Sequence, residues 1–517
     1  MKKLITAAQA ASMLKDDMTL AVSGFSGYAA PETLLKALSE RYEGEKSPNG
    51  LTVAAVVSPG DGTTGDVGMN RIAKEGLVGT IIASHVAIPP LFARLIDEEK
   101  AAGYTIPLGV LIHLFDATAA GESSFVTKVG LGTYADPDFE GCRSNEKAVG
   151  QGRTIVDKVS IAGEDRLSYR TFPIDICFIR AEYADENGNI AAADDALGDC
   201  CFDIAAATHN SGGIVIAEVK DIVKAHTLHP KQVIVHSPMV NYVVKADPDL
   251  YVQGYAAKFR PELCGDTRVP VESIDPMPMS SRKIIARRAA MELKPNCMIN
   301  LGIGIPSGIG SVANEEGINA MLSVEAGPQG GVPLEGAAFS ASVNPDIIYP
   351  LANIFHLYDG GLLDMTFLGA AEIDSEGNVN VTKFNGKTTG PGGFIDISQN
   401  TPKVCFVGTF TVGGLKETVE DGRLGILQEG KYAKFVGQVQ QISFSGKYAR
   451  EHGQKVKYVT ERAVFELRED GMTLTEIAPG VDLEKDVLAH MGFRPLIAED
   501  LKEMDPRIFR EGKMFTE

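Results

Sequence analysis

Residues 175–190 read Asp175-Ile-Cys-Phe-Ile-Arg-Ala-Glu-Tyr-Ala-Asp-Glu-Asn-Gly-Asn-Ile190, and residues 364–379 read Asp364-Met-Thr-Phe-Leu-Gly-Ala-Ala-Glu-Ile-Asp-Ser-Glu-Gly-Asn-Val379. Aligned without a gap, Asp175, Phe178, Ala181, Asp185, Gly188 and Asn189 match Asp364, Phe367, Ala370, Asp374, Gly377 and Asn378. Each copy reads as a buried strand, a loop, and a Gly-Asn turn into another strand. A second apolar strand follows an asparagine in both halves: Asn210 precedes Gly213-Ile-Val-Ile-Ala217, and Asn400 precedes Lys403-Val-Cys-Phe-Val407.

Upstream of the echo the halves also open alike. Leu20-Ala-Val-Ser-Gly-Phe-Ser-Gly27 is a β-rich run into glycines, followed by Pro31 and helical spacing through Leu34, Leu35 and Leu38. Met298-Ile-Asn-Leu-Gly-Ile-Gly-Ile-Pro306 repeats the plan, with a helix expected after it. Chance likeness between two buried strands is the bland alternative, and the repeated order of elements argues against it. The expected fold class is α/β: two related open α/β domains, each with a mainly parallel sheet. Pro-rich and polar residues around Pro270 and Met279-Ser-Ser281 mark a linker at 266–280 between domains 1–265 and 281–517. A serine N-cap at Ser281 opens the helical pattern beyond it.

Composition bounds the rest. A chain of 517 residues, 44% hydrophobic and 23% charged, has globular proportions. No stretch has the run of roughly 18 apolar residues that a membrane span needs. The Met1-Lys-Lys start lacks the apolar core of a signal peptide, so a cytoplasmic location and no membrane partner are expected. A net charge of -19 argues against nucleic acid as a partner, while leaving room for a locally basic pocket. The cysteines, Cys142, Cys177, Cys200, Cys201, Cys264, Cys297 and Cys405, form no C-x-x-C pair and suit reduced, buried thiols. His226-x-x-His229 has no acidic cluster beside it, so no metal site is expected; His85 and His113 lie in apolar runs and read as core residues or as lining of a pocket.

Three glycine-rich segments carry candidate chemistry. Gly302-Ile-Gly-Ile-Pro306 follows a strand and precedes a helix, where backbone N–H groups can meet an anion. The spacing lacks the third glycine of a dinucleotide fingerprint, and a plain turn fits it as well. Ala320-Met-Leu-Ser-Val324 runs into Glu325-Ala-Gly-Pro-Gln-Gly-Gly331. A carboxylate at the C-terminal end of a strand sits where open α/β sheets bind ligands, and it can be a nucleophile toward an activated acyl group. A turn residue or a partner for a helix N-terminus is the equal alternative on these residues alone. Thr388-Thr-Gly-Pro-Gly-Gly-Phe-Ile-Asp396 reads as a ligand-facing loop or a long turn.

Taken in order, these segments resemble the family I coenzyme A-transferases over nearly the whole chain, in the fused two-half form of the bacterial acetate and propionate enzymes. Asp17-Met-Thr-Leu-Ala-Val-Ser-Gly-Phe25, Gly302 to Pro306, Ser323 to Gly331, Tyr358-Asp-Gly-Gly-Leu-Leu-Asp364, Gly392 to Val404 and Ile477-Ala-Pro-Gly-Val-Asp482 carry the likeness. The resemblance implies an α-subunit-like first domain and a β-subunit-like second domain bearing the nucleophile, Glu325. It implies a ping-pong exchange between acyl-CoA and a small carboxylate such as acetate or propionate. Glu325 attacks the acyl-CoA, thiolate returns to the glutamyl carbonyl, and a glutamyl-CoA thioester waits for the second acid.

CoA is then a substrate, with no permanently bound cofactor, and the protein is a homo-oligomer. Gly24, Phe25 and Leu108 are expected around the oxyanion and acyl group. Gly302, Ile303, Gly304, Ile305, Pro306, Gly392, Gly393 and Lys403 are expected at CoA, with a solvated lysine the alternative for Lys403. Three departures stand out: Ala326 follows the glutamate where the family often has Asn or Ser, Ser23 replaces a glycine, and Leu108 stands where the family has a glutamine. Transfer to larger or hydroxylated acids, hydrolysis through the same glutamate, and a non-catalytic sensor are the competing readings.

Overall fold

The structure is a computed structural model and describes residues 3–198, 200–270 and 277–515. Part of the expected linker, 271–276, lies outside the described residues. By packing, the chain forms two units: Met1–Val269 with Glu325–His356 and Asn385–Asp396, and Pro270–Val324 with Leu357–Phe384 and Ile397–Glu517. The sequence reading places Glu325 in a domain 281–517, whereas here it packs with the first unit, where the Gly198 N–H donates to the carbonyl of the next residue, Ala326.

In the first unit the strands are β1 (Leu4–Ile5), β2 (Thr19–Val22), β3 (Leu51–Val57), β4 (Val78–His85), β5 (Ala102–Thr105), β6 (Ile176–Asp185), β7 (Ile214–Val223) and β8 (Tyr242–Lys245). They lie in the order β1-β8-β7-β6-β2-β3-β4-β5, and every neighbouring pair is parallel. Such sheets are buried on both faces, so their strands are near-continuous apolar runs. Leu20, Val53, Ile81 and Phe178 join Leu34, Leu35 and Leu38 of the helix Glu32–Glu45 in one core.

In the second unit the strands are β9 (Met298–Leu301), β10 (Met321–Ser323), β11 (Met365–Gly369), β12 (Lys403–Val407), β13 (Lys455–Val459), β14 (Ala463–Arg468), β15 (Gly471–Ile477) and β16 (Leu496–Glu503). The order is β10-β9-β11-β12-β13-β14-β15-β16. It is parallel from β10 to β13, and antiparallel pairs join β13 to β14 and β14 to β15. The order β8-β7-β6-β2-β3 thus recurs as β13-β12-β11-β9-β10. The helix opening this unit runs Ser281–Ala290; its N-cap is Ser280, whose hydroxyl accepts the Lys283 N–H, one residue before the expected cap. Among the described residues no helix is long and apolar enough to cross a membrane.

The repeated residues do the same work in both units. The Asp175 carboxylate accepts the N–H of Thr19 at 2.7 Å, and the Asp364 carboxylate accepts that of Met298 at 2.8 Å. Each aspartate thereby anchors the first residue of the neighbouring strand. At the far end Asp185 accepts from the N–H groups of Asn187 and Asn189 and from the Asn189 amide. Asp374 accepts from Glu376, Asn378 and the Asn378 amide in the same pattern.

Burial pushes the Asp185 carboxyl up, but hydrogen bonds from Asn189, His226 and Asn187 more than reverse it and leave it below its usual value. A depressed carboxyl contributes stability above its unfolded pKa of about 3.9 and loses it as pH falls through the folded value. Asp185→Ala and Asp374→Ala should each cost about 1–3 kcal/mol, because buried turn donors lose their acceptor. In denaturant titrations at neutral pH the loss should be plain, and for Asp185→Asn the gap to wild type should narrow below about pH 4. Unchanged midpoints would show that the turns do not hold the strand ends.

Candidate active site

The strands β2 to β6 end along one edge of the first sheet, which is where open α/β sheets bind ligands. Residues from far along the chain are laid over that edge. Val86 N–H donates to the Thr389 carbonyl at 2.9 Å, Gly392 N–H to Ser84 at 3.1 Å, and Leu108 N–H to Gly392 at 3.0 Å. The Gly390–Gly393 loop is therefore tied both to the end of β4 and to the start of the helix Leu108–Ala119.

Glu325 lies against the last glycine of this loop. A Cβ on Gly393 would stand 2.2 Å from Glu325 Oε2 and 3.2 Å from Phe355 Cζ, so no larger residue fits without displacing the carboxylate. Burial alone pushes the Glu325 carboxyl up to about 7; no neighbouring charge or hydrogen bond offsets it. Among the described residues the group has no ion pair that would make it a structural acid.

The residues after Glu325 are fixed by backbone. Gly198 N–H donates to the Ala326 carbonyl at 2.6 Å, and Tyr349 N–H donates to Gly327 at 3.0 Å. Gly198 also closes a cleft of about 20 Å³ lined by Gly24, Phe25, Tyr28, Ala196, Leu197 and Cys201. Tyr28 is held by its hydroxyl on the Ala338 carbonyl at 2.8 Å, and burial pushes its phenol up to about 12, so it stays neutral. Gly198 and Phe355 escaped the sequence reading: Leu197-Gly198 follows an ordinary acidic turn, and Phe355 sits in an unremarkable apolar helix. Only their position against Glu325, Ala326 and Gly393 reveals them.

The expected site residues fall into three groups. Glu325, Gly392, Gly393 and Leu108 are joined through the glycine loop, and Leu108 is fully buried beneath it. Gly24 and Phe25 line the cleft, but the Phe25 N–H is not available as an oxyanion donor: it donates to Tyr28 at 3.0 Å, and Tyr28 donates back at 3.0 Å. That tight turn leaves Gly24 as the backbone group of the pair that can turn to a ligand.

Gly302, Ile303, Gly304, Ile305 and Pro306 follow β9 in the second unit. There Gly302 N–H donates to Phe367 at 2.8 Å, Ile303 is 60% exposed, and the helix Gly308–Glu316 starts just beyond. Lys403 is the first residue of β12, so it stands at the opposite edge of this parallel sheet, roughly 13 Å of strand away from the edge that carries the glycine loop. Strand direction therefore places Lys403 at the opposite end of the sheet from Gly302–Pro306.

His85 ends β4 beside Gly392, and burial pushes it down to about 4, leaving a neutral imidazole at the loop. His113 is buried and meets His356 at 3.1 Å between ring nitrogens. Among the described residues no group of three His, Cys, Asp or Glu could hold a metal ion. None of the seven cysteines is in a disulfide.

A family model described as Coenzyme A transferase matches residues 4–246. Acetate CoA-transferase YdiF of Escherichia coli K12 is 40% identical over 514 residues, covering 99% of this chain and 96% of that protein. Caffeate CoA-transferase of Acetobacterium woodii is 39% identical over 519 residues, covering 99% and 98%. The crystal structure of the acyl-CoA transferase YdiF of Escherichia coli O157:H7 as a thioester complex with CoA superposes with a TM-score of 0.92 at 39% identity, covering 99% of this chain and 96% of that one.

The Glu325 carboxyl is directly measurable. In ¹³C-glutamate NMR or difference infrared spectra, one carboxyl should titrate near pH 7 and vanish in Glu325→Gln. A raised folded pKa favours the folded state below the unfolded value and weakens it as pH rises toward 7. Glu325→Gln should therefore be more stable than wild type at pH 8 and lose that advantage near pH 4. A carboxyl titrating near 4.5, with no stability difference, would place Glu325 in water.

Proposed function

The chain belongs to the coenzyme A transferase family and is an enzyme that moves CoA between acyl-CoA and free carboxylic acids; from that premise we propose that Glu325 is its nucleophile. The observation that carries this is the half-buried carboxyl pressed on Gly393 with no cation beside it among the described residues. A carboxylate partly shielded from water and without an ion pair keeps its electron pair available to a thioester carbonyl.

Attack of a Glu325 oxygen on the acyl-CoA carbonyl expels CoA as thiolate and forms an acyl-glutamyl anhydride. The thiolate then attacks the glutamyl carbonyl, releasing the first acid and leaving a glutamyl-CoA thioester. A second carboxylate attacks that thioester, and the same steps in reverse yield the new acyl-CoA. One thioester replaces another, so no resident cofactor is required, and CoA enters and leaves as substrate. Backbone donors at Gly24 and Gly393 are the proposed partners of the developing oxyanion, since Phe25 N–H is committed to Tyr28. Gly302–Pro306, exposed at Ile303 and leading into a helix N-terminus, is the proposed contact for CoA.

The cleft beside Ala326 is the proposed seat of the acyl tail. Its 20 Å³ gives room for roughly one or two non-hydrogen atoms, which suits acetate and propionate. Leu108, apolar and buried under the glycine loop, offers no hydrogen bond to a hydroxylated acid. The division into 1–265 and 281–517 is proposed as two fused subunit-like halves, supported by the matching aspartate turns. A cytoplasmic location is supported by the largely buried thiols that form no disulfide, and a homo-oligomer by the resemblance.

Glu325→Gln should fold and lose exchange by at least about 10³-fold, since the amide is a poor nucleophile. Because attack needs the ionised form, wild-type kcat/KM should rise with pH and level off above about 7. Activity of Glu325→Gln within tenfold of wild type would remove Glu325 from the reaction.

The acid preference has its own test. Wild type should favour acetate and propionate over butyrate, and Leu197→Ala should raise butyrate relative to acetate roughly tenfold, the worth of burying about two methylenes. Leu108→Gln should move preference toward lactate. If both variants rank the acids as wild type does, the tail lies elsewhere.

A further inference from the structure

The second unit holds a lysine that the proposed reaction does not use. Lys434 lies beyond the C-terminal ends of β11, β12 and β13, with its carbonyl accepting the Ile373 N–H at 2.8 Å. A cavity of about 10 Å³ adjoins it, lined by Ala370, Ile373, Phe406, Gly408, Lys434 and Tyr458. The aromatic walls are rigid: Phe406 stacks on Tyr458 with centroids 5.4 Å apart, and the Tyr458 hydroxyl donates to the Gly377 carbonyl at 2.6 Å. The ammonium lies so close to the chain that a Cβ on Gly408 would stand 2.7 Å from Nζ.

Among the described residues Lys434 has no paired counter-ion. The nearest charge that acts on it, Glu461, is already engaged: one oxygen accepts the Phe410 N–H at 2.8 Å and the other the Arg462 Nε–H at 2.7 Å. No carboxylate among the described residues pairs with Lys434, and burial pulls its pKa below the usual lysine value. A half-hidden ammonium beside apolar walls is costly unless something pairs with it. This one stands at the edge of a parallel sheet where ligands bind. The cavity has room for roughly one oxygen atom beside the nitrogen.

We propose that Lys434, laid over Gly408, is a seat for one oxygen of an anionic group carried by a substrate: a phosphate of CoA or the carboxylate of the free acid. The proposal rests on the transferase reading only for the identity of the anion; the seat itself is read from the unpaired ammonium, the cavity and Gly408. Lys434 would hold substrate and take no part in bond making.

Equilibrium binding of acetyl-CoA, acetyl-pantetheine and acetate to wild type, Lys434→Met, Lys434→Arg and Gly408→Ala tests it. Lys434→Met should weaken one ligand at least tenfold, and Lys434→Arg should restore it to within about threefold. Loss for acetyl-CoA but not acetyl-pantetheine assigns the seat to a CoA phosphate; loss for acetate alone assigns it to the carboxylate. Gly408→Ala keeps the charge but pushes it off its place, so it should weaken the same ligand even if Lys434→Met proves unstable. All three ligands bound within twofold by every variant would overturn the seat. Glu325→Gln, measured alongside, keeps the two ideas apart: it should keep the same binding pattern while losing exchange, and retained exchange would count against Glu325 alone.

Discussion

Everything at the edge of the first sheet turns on one half-buried carboxyl group, Glu325, that meets no cation among the described residues. Burying an ionisable group normally brings a partner with it, because an isolated charge in a poor dielectric is expensive. Glu325 has none among the described residues, and burial shifts its proton equilibrium to about 7. The surrounding chain is built to keep it so. Gly393 supplies the space, Gly392 ties that space to Ser84 and Leu108, and Gly198 fixes the carbonyl of the residue next to Glu325. These contacts are mostly backbone, so they hold one geometry whatever side chains surround them. Such preorganisation lets a carboxylate meet a carbonyl group without first shedding solvent.

The two sheets explain why this arrangement needs segments from distant parts of the chain. Each sheet ends its strands along one edge and anchors its central strand through an aspartate at either end. The first unit's edge is completed by Glu325–His356 and Asn385–Asp396, so the chain crosses between units more than once. The strand leading into Glu325 thus belongs to one unit, while Glu325 and the residues after it belong to the other. The second unit's own edge keeps Gly302–Pro306 and Lys434, features suited to holding an anionic substrate.

Local regularities made much of this legible from sequence. The Asp-x-x-Phe echo and its Gly-Asn turn signalled a repeated parallel sheet, because the same hydrogen bonds need the same residues. Glu325, Gly392 and Gly393 stood out because a carboxylate and paired glycines at strand ends are conspicuous. What stayed hidden depends on contacts between distant positions. Gly198 gains meaning only from Ala326, and Lys434 only from the absence of a partner. Phe25 looked like a donor until its N–H was seen in a turn with Tyr28. Lys403 looked close to the glycine loops in sequence, but the direction of its strand sends it to the other edge.

The central claim is that Glu325 forms a covalent bond to CoA in the course of turnover. Peptide mass spectrometry after brief incubation with acetyl-CoA alone, with borohydride added to trap the thioester, reads that bond directly. A CoA adduct, and a reduced side chain after trapping, should appear on the peptide containing Glu325 and on no other, and both should disappear when acetate is added in excess before the quench. An unmodified Glu325 peptide under conditions where the enzyme turns over, or an adduct on another residue, would contradict the account.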